Sequence, residues 1–578
     1  MSRKTLFTLL CALVLLSFVI TACQPAVTPE PAKPPTTAPV EAPTKAPVEV
    51  PTTAPVVTSP PVATYETMKL EAANCDYGGE IKAIESLDEF TVKFSLCYPD
   101  PAFISKLPMM SFAIQDKEYL DANKGDSVKM SEKPNGTGPY ILKEWVKGDH
   151  VTLEANPNYW GEPAKTKTLI FRWSAEATQR LLEIQAGTID GMDNPSPDDL
   201  ATVQADPNLN LVPRSSINIL WLNMNNTFPP FDNLKVRQAI AMAIDKQRIV
   251  DNYFPPGAIV AETFLPPSLY PGSSDLKWYP YNVDEAKKLL AEAGFPNGFS
   301  VDISFRPTPR TYLPMPDKVA QEVKSQLAKI GVTVKINQME STTFLDALYA
   351  GKIPLALIGG NGDYPDASNL YDWIFNNKSI KNLGIMYDDI AAELSAAGKL
   401  SDPAARQVYY EKANVLLKEH APIVPIAHGV SATVYKKNVQ NAHSSPFNKE
   451  AFQVMSNGTD QFVWMQGAEP AVTVCSDEND DETTRVCAMI YETLAFFKPG
   501  SVEMQPVLAE SWSGNTEATE WTFTIRKGVK FQNGATLDAN DVVATFISQW
   551  DANDPNHVGR TGTFDYFGMS FGQFLNKK

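Results

Sequence analysis

The sequence predicts an α/β fold in which helices cover both faces of a parallel sheet, and three features lead to this prediction. Residues 90–96 and 521–526 alternate between apolar and polar side chains, which is typical of half-buried strands. Between 282 and 358, helical and strand-like segments alternate, an order typical of parallel sheets. The chain has 578 residues, 43% of them hydrophobic, so it can form two or three packed units.

The helices between 282 and 358 have recognisable ends. Asn282, with Glu285 three residues later, matches the capping box of a helix start. Gly294 suits the left-handed position that ends a helix, and Gly331 and Gly351 end two further helices in the same way. The expected order is helix 283–293, helix 319–330, strand 332–336, helix 344–350 and strand 353–358.

The composition excludes two classes of protein. Aromatic residues make up 10% of the chain, which argues against global disorder. The 50 basic and 67 acidic side chains give a net charge of −17, and such a surface repels phosphate groups. We therefore expect a folded protein that does not bind nucleic acid.

The N-terminus has the pattern of an export signal. Basic residues at 3 and 4 precede an apolar run over 6–20, which is too short for a dependable membrane span. The run TAC at 21–23 resembles a bacterial lipobox. We expect a lipoprotein signal peptide at 1–22 and a lipid on Cys23 that anchors the protein outside the cytoplasmic membrane. The alternative is an ordinary cleaved signal.

The segment that follows Cys23 is expected to be a tether. Twelve prolines lie between residues 24 and 64. Proline favours extended polyproline II, which makes a semi-rigid spacer of about 3 Å per residue. We expect this segment to hold the folded part, from Tyr65 onward, away from the lipid surface.

Four cysteines remain in the folded part of the chain: Cys75, Cys97, Cys475 and Cys487. An exported protein folds in an oxidising compartment, where cysteines form disulfides. Closeness in sequence favours the pairs Cys75–Cys97 and Cys475–Cys487. The sequence alone leaves other pairings open.

Motifs of catalysis are missing from the sequence. It contains no G-x-S-x-G, H-E-x-x-H, P-loop or C-x-x-C pattern, and its five histidines are scattered singly. We therefore expect a protein that is not an enzyme, and we expect neither a cofactor nor a metal ion.

A glycine-rich turn at 359–366, with the sequence GGNGDYPD, follows the predicted strand 353–358. Ligands of open α/β sheets bind beyond the carboxyl ends of strands, where glycines let a ligand approach the backbone. Asp363 could there bind a cationic group. The alternative is a simple turn in which Asp363 or Asp366 caps the next helix.

Four runs of residues resemble one protein family. They are NGTGPY at 135–140, NPNYWG at 156–161, PPFDNLKVRQA at 229–239 and APIVP at 421–425. Together they resemble the peptide/nickel class of substrate-binding proteins of ABC importers, and the likeness covers nearly all of 65–578. The resemblance implies a two-lobed α/β fold of the periplasmic-binding-protein type (type II), with an extra small subdomain, that closes on its ligand.

The motif order differs from that of the family. Runs that the family has near its N-terminus lie here near the C-terminus, namely IYETL at 490–494, PVLAESW at 506–512, WTFTIRKGVKFQNG at 521–534 and ANDVV at 539–543. The usual C-terminal piece ends near Ser456, before the turn-forming pair Asn457-Gly458. The chain thus resembles a circular permutant with its original ends joined across 457–460. A mis-assembled gene is the alternative.

The resemblance also implies where the lobes begin and end. The expected segments are the signal peptide at 1–22, the lipidated cysteine and tether at 23–64, part of lobe I with part of the small subdomain at 65–216, lobe II at 217–432, and the remainder of lobe I at 433–578.

The resemblance further implies a set of ligand-binding residues. In peptide-binding members an aspartate takes the α-ammonium group of the peptide, and Asp363 stands at that place. The tryptophan that precedes it in the family is Gly360 here, which implies room for a bulkier ligand. Asp317 lies where dipeptide binders have a carboxylate-binding arginine, so Arg306 or Arg310 is a candidate substitute. The alternative for either arginine is a solvated loop charge. The full expected set is Asp363, Tyr364, Gly360, Asn361, Arg310, Asn225, Trp464 and Glu469, the last two on the opposite wall.

These expectations lead to one function and its alternatives. We expect a monomeric receptor that captures oligopeptides between two lobes and delivers them to an ABC permease. An oligosaccharide-binding member of the same class is the first alternative, because aromatic walls also suit sugars. A lipoprotein hydrolase or a sensory protein is the alternative from another class.

Overall fold

The computed structural model of the chain describes residues 65–577 except 216, 268, 377–379 and 479. The signal peptide, Cys23 and the tether lie outside the described residues. The strands are, in chain order, β1 (Lys69–Glu71), β2 (Ile81–Asp88), β3 (Thr91–Leu96), β4 (Tyr140–Val146), β5 (His150–Ala155), β6 (Thr168–Trp173), β7 (Gly191–Asp193), β8 (Leu209–Ser215), β9 (Asn218–Met224), β10 (Ile259–Val260), β11 (Ser300–Phe305), β12 (Thr333–Gln338), β13 (Leu355–Asn361), β14 (Ile423–His428), β15 (Val430–Lys436), β16 (Gln461–Gln466), β17 (Ala495–Phe497), β18 (Met504–Pro506), β19 (Ala509–Gly514) and β20 (Glu520–Ile525).

The described part of the chain also contains helices of four to eighteen residues. They are, in chain order, α1 (Phe103–Lys106), α2 (Lys117–Asn123), α3 (Ser127–Met130), α4 (Ala177–Gln185), α5 (Leu200–Ala205), α6 (Leu234–Ala243), α7 (Lys246–Tyr253), α8 (Val283–Glu292), α9 (Pro316–Ala328), α10 (Ser341–Tyr349), α11 (Ala367–Tyr371), α12 (Asp388–Ala397), α13 (Pro403–His420), α14 (Asp481–Ile490), α15 (Ala539–Trp550) and α16 (Asp565–Phe571). Among the described residues, no helix has both the length and the apolar composition needed to cross a membrane.

A six-stranded sheet in the order β10-β14-β9-β13-β11-β12 forms the core of one lobe. β11 is parallel to β12 and β13, as the alternation of helices and strands predicts. β9 is antiparallel to both β13 and β14, so the expectation of a wholly parallel sheet is wrong. β9 and β14 lie outside the alternating segment 282–358, so the alternation does not predict their direction. Both strands continue directly into a second sheet.

Two neighbouring connections join this lobe to the second one. β8 leads into β9, and β14 leads into β15, while β8 and β15 pair in a seven-stranded sheet in the order β4-β5-β6-β16-β7-β15-β8. Asn218 fastens the two connections together. Its side-chain amide donates to the carbonyl of Gly429 (2.9 Å), and its Oδ1 accepts from the N–H of Gly429 (2.7 Å). The lobes are thus linked by a paired double crossing suited to hinge motion.

A five-stranded sheet combines strands from both ends of the described chain, in the order β1-β2-β3-β20-β19. β3 and β20 correspond to the predicted strands 90–96 and 521–526, and they pair antiparallel with Trp521 opposite Phe94. The Phe94 ring contacts Phe546 of α15 at a centroid distance of 4.9 Å, so the helix covers this sheet. The first disulfide, Cys75–Cys97, also lies in this region, and the second joins Cys475 to Cys487.

Four buried charges hold the seven-stranded sheet to the segments around it. Arg485 donates to Asp193 (2.7 Å) and to Glu450 (2.9 Å), and Arg214 lies 2.8 Å and 2.6 Å from the same two carboxylates. The four side chains are 0–3% exposed, so each charge depends on its partners for solvation. This cluster connects residues that lie nearly 300 positions apart in the sequence.

The predicted helices lie where the sequence indicates, with small differences at their ends. Asn282 caps α8 by accepting from the N–H of Glu285 (3.0 Å). α9 begins at Pro316, earlier than predicted, because proline is favourable in the first turn of a helix. The glycines at 359 and 360 belong to β13 instead of a turn, since they pair with Leu220 and Ile219 of β9.

Candidate functional site

A cavity of about 670 Å³ lies at the carboxyl end of β13, between the two lobes. Its volume falls within the range of about 300–1,000 Å³ that is usual for ligand-binding sites. The lobe with the six-stranded sheet contributes Arg306, Tyr349 and Trp373, among others. The other lobe contributes Met109 together with Tyr566, Met569 and Ser570 of α16.

A second cavity, of about 230 Å³, adjoins the first one. Met109, Asn361, Asp363 and Tyr566 border both cavities. The remaining wall of the smaller cavity is mainly polar and includes Arg214, Ser431, Lys449, Asp481 and Thr484. The two spaces therefore adjoin in one interlobe cleft, and Asp363 borders both of them.

Asp363 lies where the two cavities meet. Its backbone N–H donates to Oδ1 of Asn369 (2.9 Å), which fixes the loop after β13. Its Oδ1 accepts from the hydroxyl of Tyr566 (3.1 Å), a residue of the other lobe. Burial raises the pKa of Asp363, and the Tyr566 hydrogen bond opposes this shift. The carboxylate borders the cleft and forms no salt bridge among the described residues, although Lys449 of the other lobe also opposes the rise of its pKa.

Asp366, three residues further on, has a structural role. Its Oδ1 accepts from the N–H of Ser368 (2.9 Å), so Asp366 is the residue that caps α11. Its carboxylate also forms two hydrogen bonds of 2.7 Å with the guanidinium group of Arg406. Both side chains are buried, at 6% and 4% exposed. Of the two aspartates in the glycine-rich turn, Asp366 therefore caps a helix, whereas Asp363 borders the cleft.

Charged groups of both signs border the larger cavity. Arg306 donates to the hydroxyl of Tyr312 and to Oγ of Ser341 (3.2 Å), and Arg310 is exposed at the rim. Asp372 faces the same space, and burial raises its pKa to about 7. The cavity can thus accommodate a ligand that carries both a cation and an anion.

The space expected from the exchange of tryptophan for Gly360 is occupied. A Cβ added to Gly360 would lie 2.4 Å from Cζ3 of Trp373, which shows that this indole ring covers the glycine. Trp373 belongs to a π-helical turn, Asp372–Asn376, that continues α11. The room expected beside Gly360 is therefore filled, because Trp373, 13 positions later, supplies an aromatic ring there.

The other expected ligand-binding residues divide into two groups. Tyr364, Asn361 and Arg310 line the larger cavity, as do Gly360 and Asp363. Asn225, Trp464 and Glu469 border neither cavity. The side chain of Asn225 donates to the carbonyl of Gly351 (3.2 Å), Trp464 is fully buried beside Phe452, and Glu469 accepts from Trp145 (2.9 Å). The opposite wall is instead formed by Met109 and α16.

The wall formed by α16 has no motif that predicts its role. Asp477 positions the loop before α16, because its carboxylate accepts from the backbone N–H groups of Thr561 (2.6 Å), Gly562 (2.8 Å) and Phe564 (2.7 Å). This loop brings Tyr566 to Asp363, which is 203 residues away in the sequence. Tyr566 can be identified as a site residue only from the three-dimensional structure, in which both lobes border the cleft.

One group of acidic side chains has the spacing of a metal site. Carboxylate oxygens of Asp116, Glu118 and Asp541 lie within 4.8 Å of one another. Asp116 accepts from the side chains of Asn135 (2.9 Å) and Asn533 (2.6 Å), and Asp541 accepts from the backbone N–H of Lys117 (2.8 Å). Protein donors therefore already bind the carboxylates of Asp116 and Asp541, and the group lies outside both cavities.

Comparisons with known proteins agree with a cleft for a small solute. A family model described as "Bacterial extracellular solute-binding proteins, family 5 Middle" matches residues 51–382 and 503–564. Heme-binding protein A of Haemophilus influenzae is 30% identical over 381 residues, which cover 65% of this chain and 70% of that protein. Di/tripeptide-binding protein 1 of Pseudomonas aeruginosa is 33% identical over 387 residues, which cover 65% of this chain and 72% of that protein.

A solved structure agrees with these sequence relatives. The structure of HbpA2 from Haemophilus parasuis aligns with a TM-score of 0.61 and 32% identity, over 65% of this chain and 75% of that chain. The family model is described as one of solute-binding proteins, and the two sequence relatives are described as binding heme and di- or tripeptides. Because the family model covers more than half of the chain, we conclude that the chain belongs to the bacterial extracellular solute-binding proteins of family 5.

Proposed function

We propose that this protein is the receptor of an ABC importer and that it captures oligopeptides in the cleft between its lobes. The observation that carries the proposal is Asp363, a cleft-facing carboxylate whose hydrogen-bond partner across the cleft is the neutral Tyr566. A carboxylate in a cavity with little water binds an ammonium group more strongly than it does in bulk solvent. The α-ammonium of a peptide is therefore the expected partner of Asp363.

The opposite charges around the larger cavity support a ligand with two charged ends. Arg306 and Arg310 lie on the same cavity as Asp363 and can bind a carboxylate, and arginine is suited to do so with two parallel hydrogen bonds. A neutral sugar would provide no charged group to pair with these side chains. The charges therefore favour a peptide over an oligosaccharide.

Capture is expected to proceed by closure of the lobes. A ligand in the cleft contacts both lobes only when they are together, so binding shifts the population toward the closed form. The double crossing near Asn218 and Gly429 is the expected hinge. The lobes that we propose to close are 217–432 on one side and 65–216 with 433–578 on the other.

Delivery and location are further parts of the proposal. We infer that a lipid on Cys23 holds the receptor outside the cytoplasmic membrane and that the proline-rich segment spaces it from the lipid surface. A receptor anchored in this way can pass its ligand to a permease in the same membrane. Globomycin treatment of cells should lead to accumulation of an uncleaved precursor, and normal processing would contradict the lipoprotein assignment.

Native mass spectrometry of the purified protein tests the ligand class. We expect masses of co-purified peptides that disappear on denaturation and dialysis. A ladder of hexose masses would instead support an oligosaccharide, and a porphyrin absorbance band would support a ligand like that of the Haemophilus influenzae relative. Either of these results would contradict the peptide proposal.

Replacing Asp363 by asparagine should weaken tripeptide binding at least about tenfold, which corresponds to the low end of about 1.5 kcal/mol for a charge-assisted hydrogen bond. Isothermal titration with trialanine measures the change. Asp317→Asn is the matched control, because Asp317 is exposed on α9 in the same lobe and lines neither cavity. Equal affinities of the two variants would rule out the proposed role of Asp363.

We also propose that the chain is circularly permuted relative to its family. Alignments over about 65% of the chain and 70–72% of each relative are compatible with one linear part of a permuted sequence. A superposition on HbpA2 that ignores chain order should extend well beyond the present 75% of that structure. If residues 461–577 find no counterpart there, the permutation proposal is wrong.

A further inference from the structure

One end of the larger cavity is aromatic. Tyr312, Tyr349 and Trp373 line it, together with Leu345 and Leu370. The rings of Tyr349 and Trp373 lie 6.2 Å apart at an angle of 76°, an edge-to-face contact. The rings and leucines offer apolar surface here, beside Arg306, which donates to the Tyr312 hydroxyl. Asp363 and Arg310 offer charge to the rest of the ligand.

Two contacts fix the position of the Trp373 ring. The ring of Trp221, which is fully buried, contacts it edge to face at 6.2 Å. On another side it covers Gly360, where a Cβ would be only 2.4 Å from the ring. Glycine at 360 therefore allows the indole to lie against the end of β13. Its remaining surface faces the cavity, because Trp373 is only partly buried and lines this space.

A rigid aromatic wall of this kind discriminates between ligand side chains. A large apolar side chain removes extensive surface from water when it packs against such rings, and an aromatic one gains a further ring contact. A methyl side chain leaves most of the aromatic wall uncovered. The difference in binding free energy between these side chains is therefore set by the wall and not by the charged groups.

We propose that the space between Tyr312, Tyr349 and Trp373 is a subsite for one large apolar or aromatic side chain of the bound peptide, and that Trp373 determines this preference. The inference rests on the proposed function, since it names which peptides the same cleft selects. Gly360 takes part by leaving room for the indole.

The test measures tripeptide affinities by isothermal titration. The probes are trialanine and the three tripeptides in which one alanine is replaced by phenylalanine. For the wild-type protein, phenylalanine at one of the three positions should raise the affinity at least about tenfold over trialanine. In Trp373→Ala this preference for phenylalanine over trialanine should fall to about threefold or less.

Two further variants distinguish loss of the wall from loss of the fold. Trp373→Phe should retain most of the preference, because a ring remains on the wall. Gly360→Ala should reduce the preference, because the added Cβ displaces the indole. Thermal unfolding of each variant identifies any that fails to fold.

The outcomes separate this inference from the proposed function. If the wild-type protein binds all four tripeptides equally, or if Trp373→Ala keeps the full preference, the subsite is wrong while the peptide receptor stands. If the wild-type protein binds none of the four probes, both proposals fail.

Discussion

Replacing Arg485 by methionine is expected to destabilise the protein by about 3–5 kcal/mol, because it removes one member of a buried ionic cluster. Arg485 is fully buried and pairs with both Asp193 and Glu450. Methionine has a similar volume, so the main effect is the loss of charge. Arg214 alone then faces two carboxylates, and one buried negative charge stays unbalanced. Urea denaturation followed by circular dichroism measures the change.

A matched control uses an exposed ion pair. Lys167 and Asp460 lie 2.8 Å apart, also between distant parts of the chain, but their side chains are 76% and 74% exposed. Lys167→Met should cost no more than about 1 kcal/mol, since water solvates both charges without the pair. If Arg485→Met and Lys167→Met lose similar amounts of stability, burial of the ion pair does not determine the effect.

The pH dependence of Arg485→Met provides an independent check. Burial raises the pKa of Asp193, but Arg214 and Arg485 outweigh burial and hold it at about 2. A carboxyl with a lowered pKa stabilises the fold above its ordinary value of 3.8, and this contribution is lost as the pH falls toward 2. Without Arg485 the pKa of Asp193 should rise. Acid unfolding of the variant should therefore begin at a higher pH than that of the wild-type protein.

Local sequence patterns predicted elements more reliably than they predicted neighbours. The alternation at 90–96 and 521–526 predicts two half-buried strands, and β3 and β20 are these strands. Alternation contains no information about partners, because any half-buried strand has the same pattern. The contact between Phe94 and Phe523, at 5.6 Å, belongs to a core assembled from both ends of the described chain.

Glycine propensity was a poor guide at the end of β13. Gly359 and Gly360 suggest a turn, since glycine weakens strands. In the structure they continue the strand because β9 pairs with them and aromatic rings lie directly over them. A Cβ at Gly359 would be 2.3 Å from the ring of Tyr312, and a Cβ at Gly360 would be 2.4 Å from that of Trp373. The need for close ring packing therefore outweighs the local preference.

The candidate site was only half predictable for a similar reason. Asp363 stands in a recognisable motif after a strand, so its position follows from the sequence. Tyr566 lies in a segment without such a motif, and it reaches Asp363 because Asp477 fixes the preceding loop. A site between two lobes is formed by residues of both lobes. A local sequence motif predicts the residues of only one of them.

Exchanging Asp366 for asparagine is expected to cost about 3–5 kcal/mol of stability, whereas the same exchange at Asp363 should leave stability nearly unchanged. Asparagine can still cap α11, but it leaves the buried guanidinium of Arg406 without its carboxylate partner. Burial raises the pKa of Asp366, and the hydrogen bonds from Arg406 outweigh burial and lower it, so the native charge is stabilised by this pair. The free energy of unfolding in urea at pH 7 measures both variants.

The two aspartates therefore form a matched pair with opposite effects. Burial raises the pKa of Asp363, so its ionised form costs stability, and a neutral asparagine removes that cost. Asp363→Asn should thus be at least as stable as the wild-type protein at pH 7 and yet lose peptide affinity. Asp366→Asn should unfold at a lower urea concentration than the wild type, because the buried Arg406 then lacks its carboxylate partner. If Asp363→Asn is the less stable of the two, Asp363 is a structural residue and the cleft carboxylate that carries the peptide proposal has been misassigned.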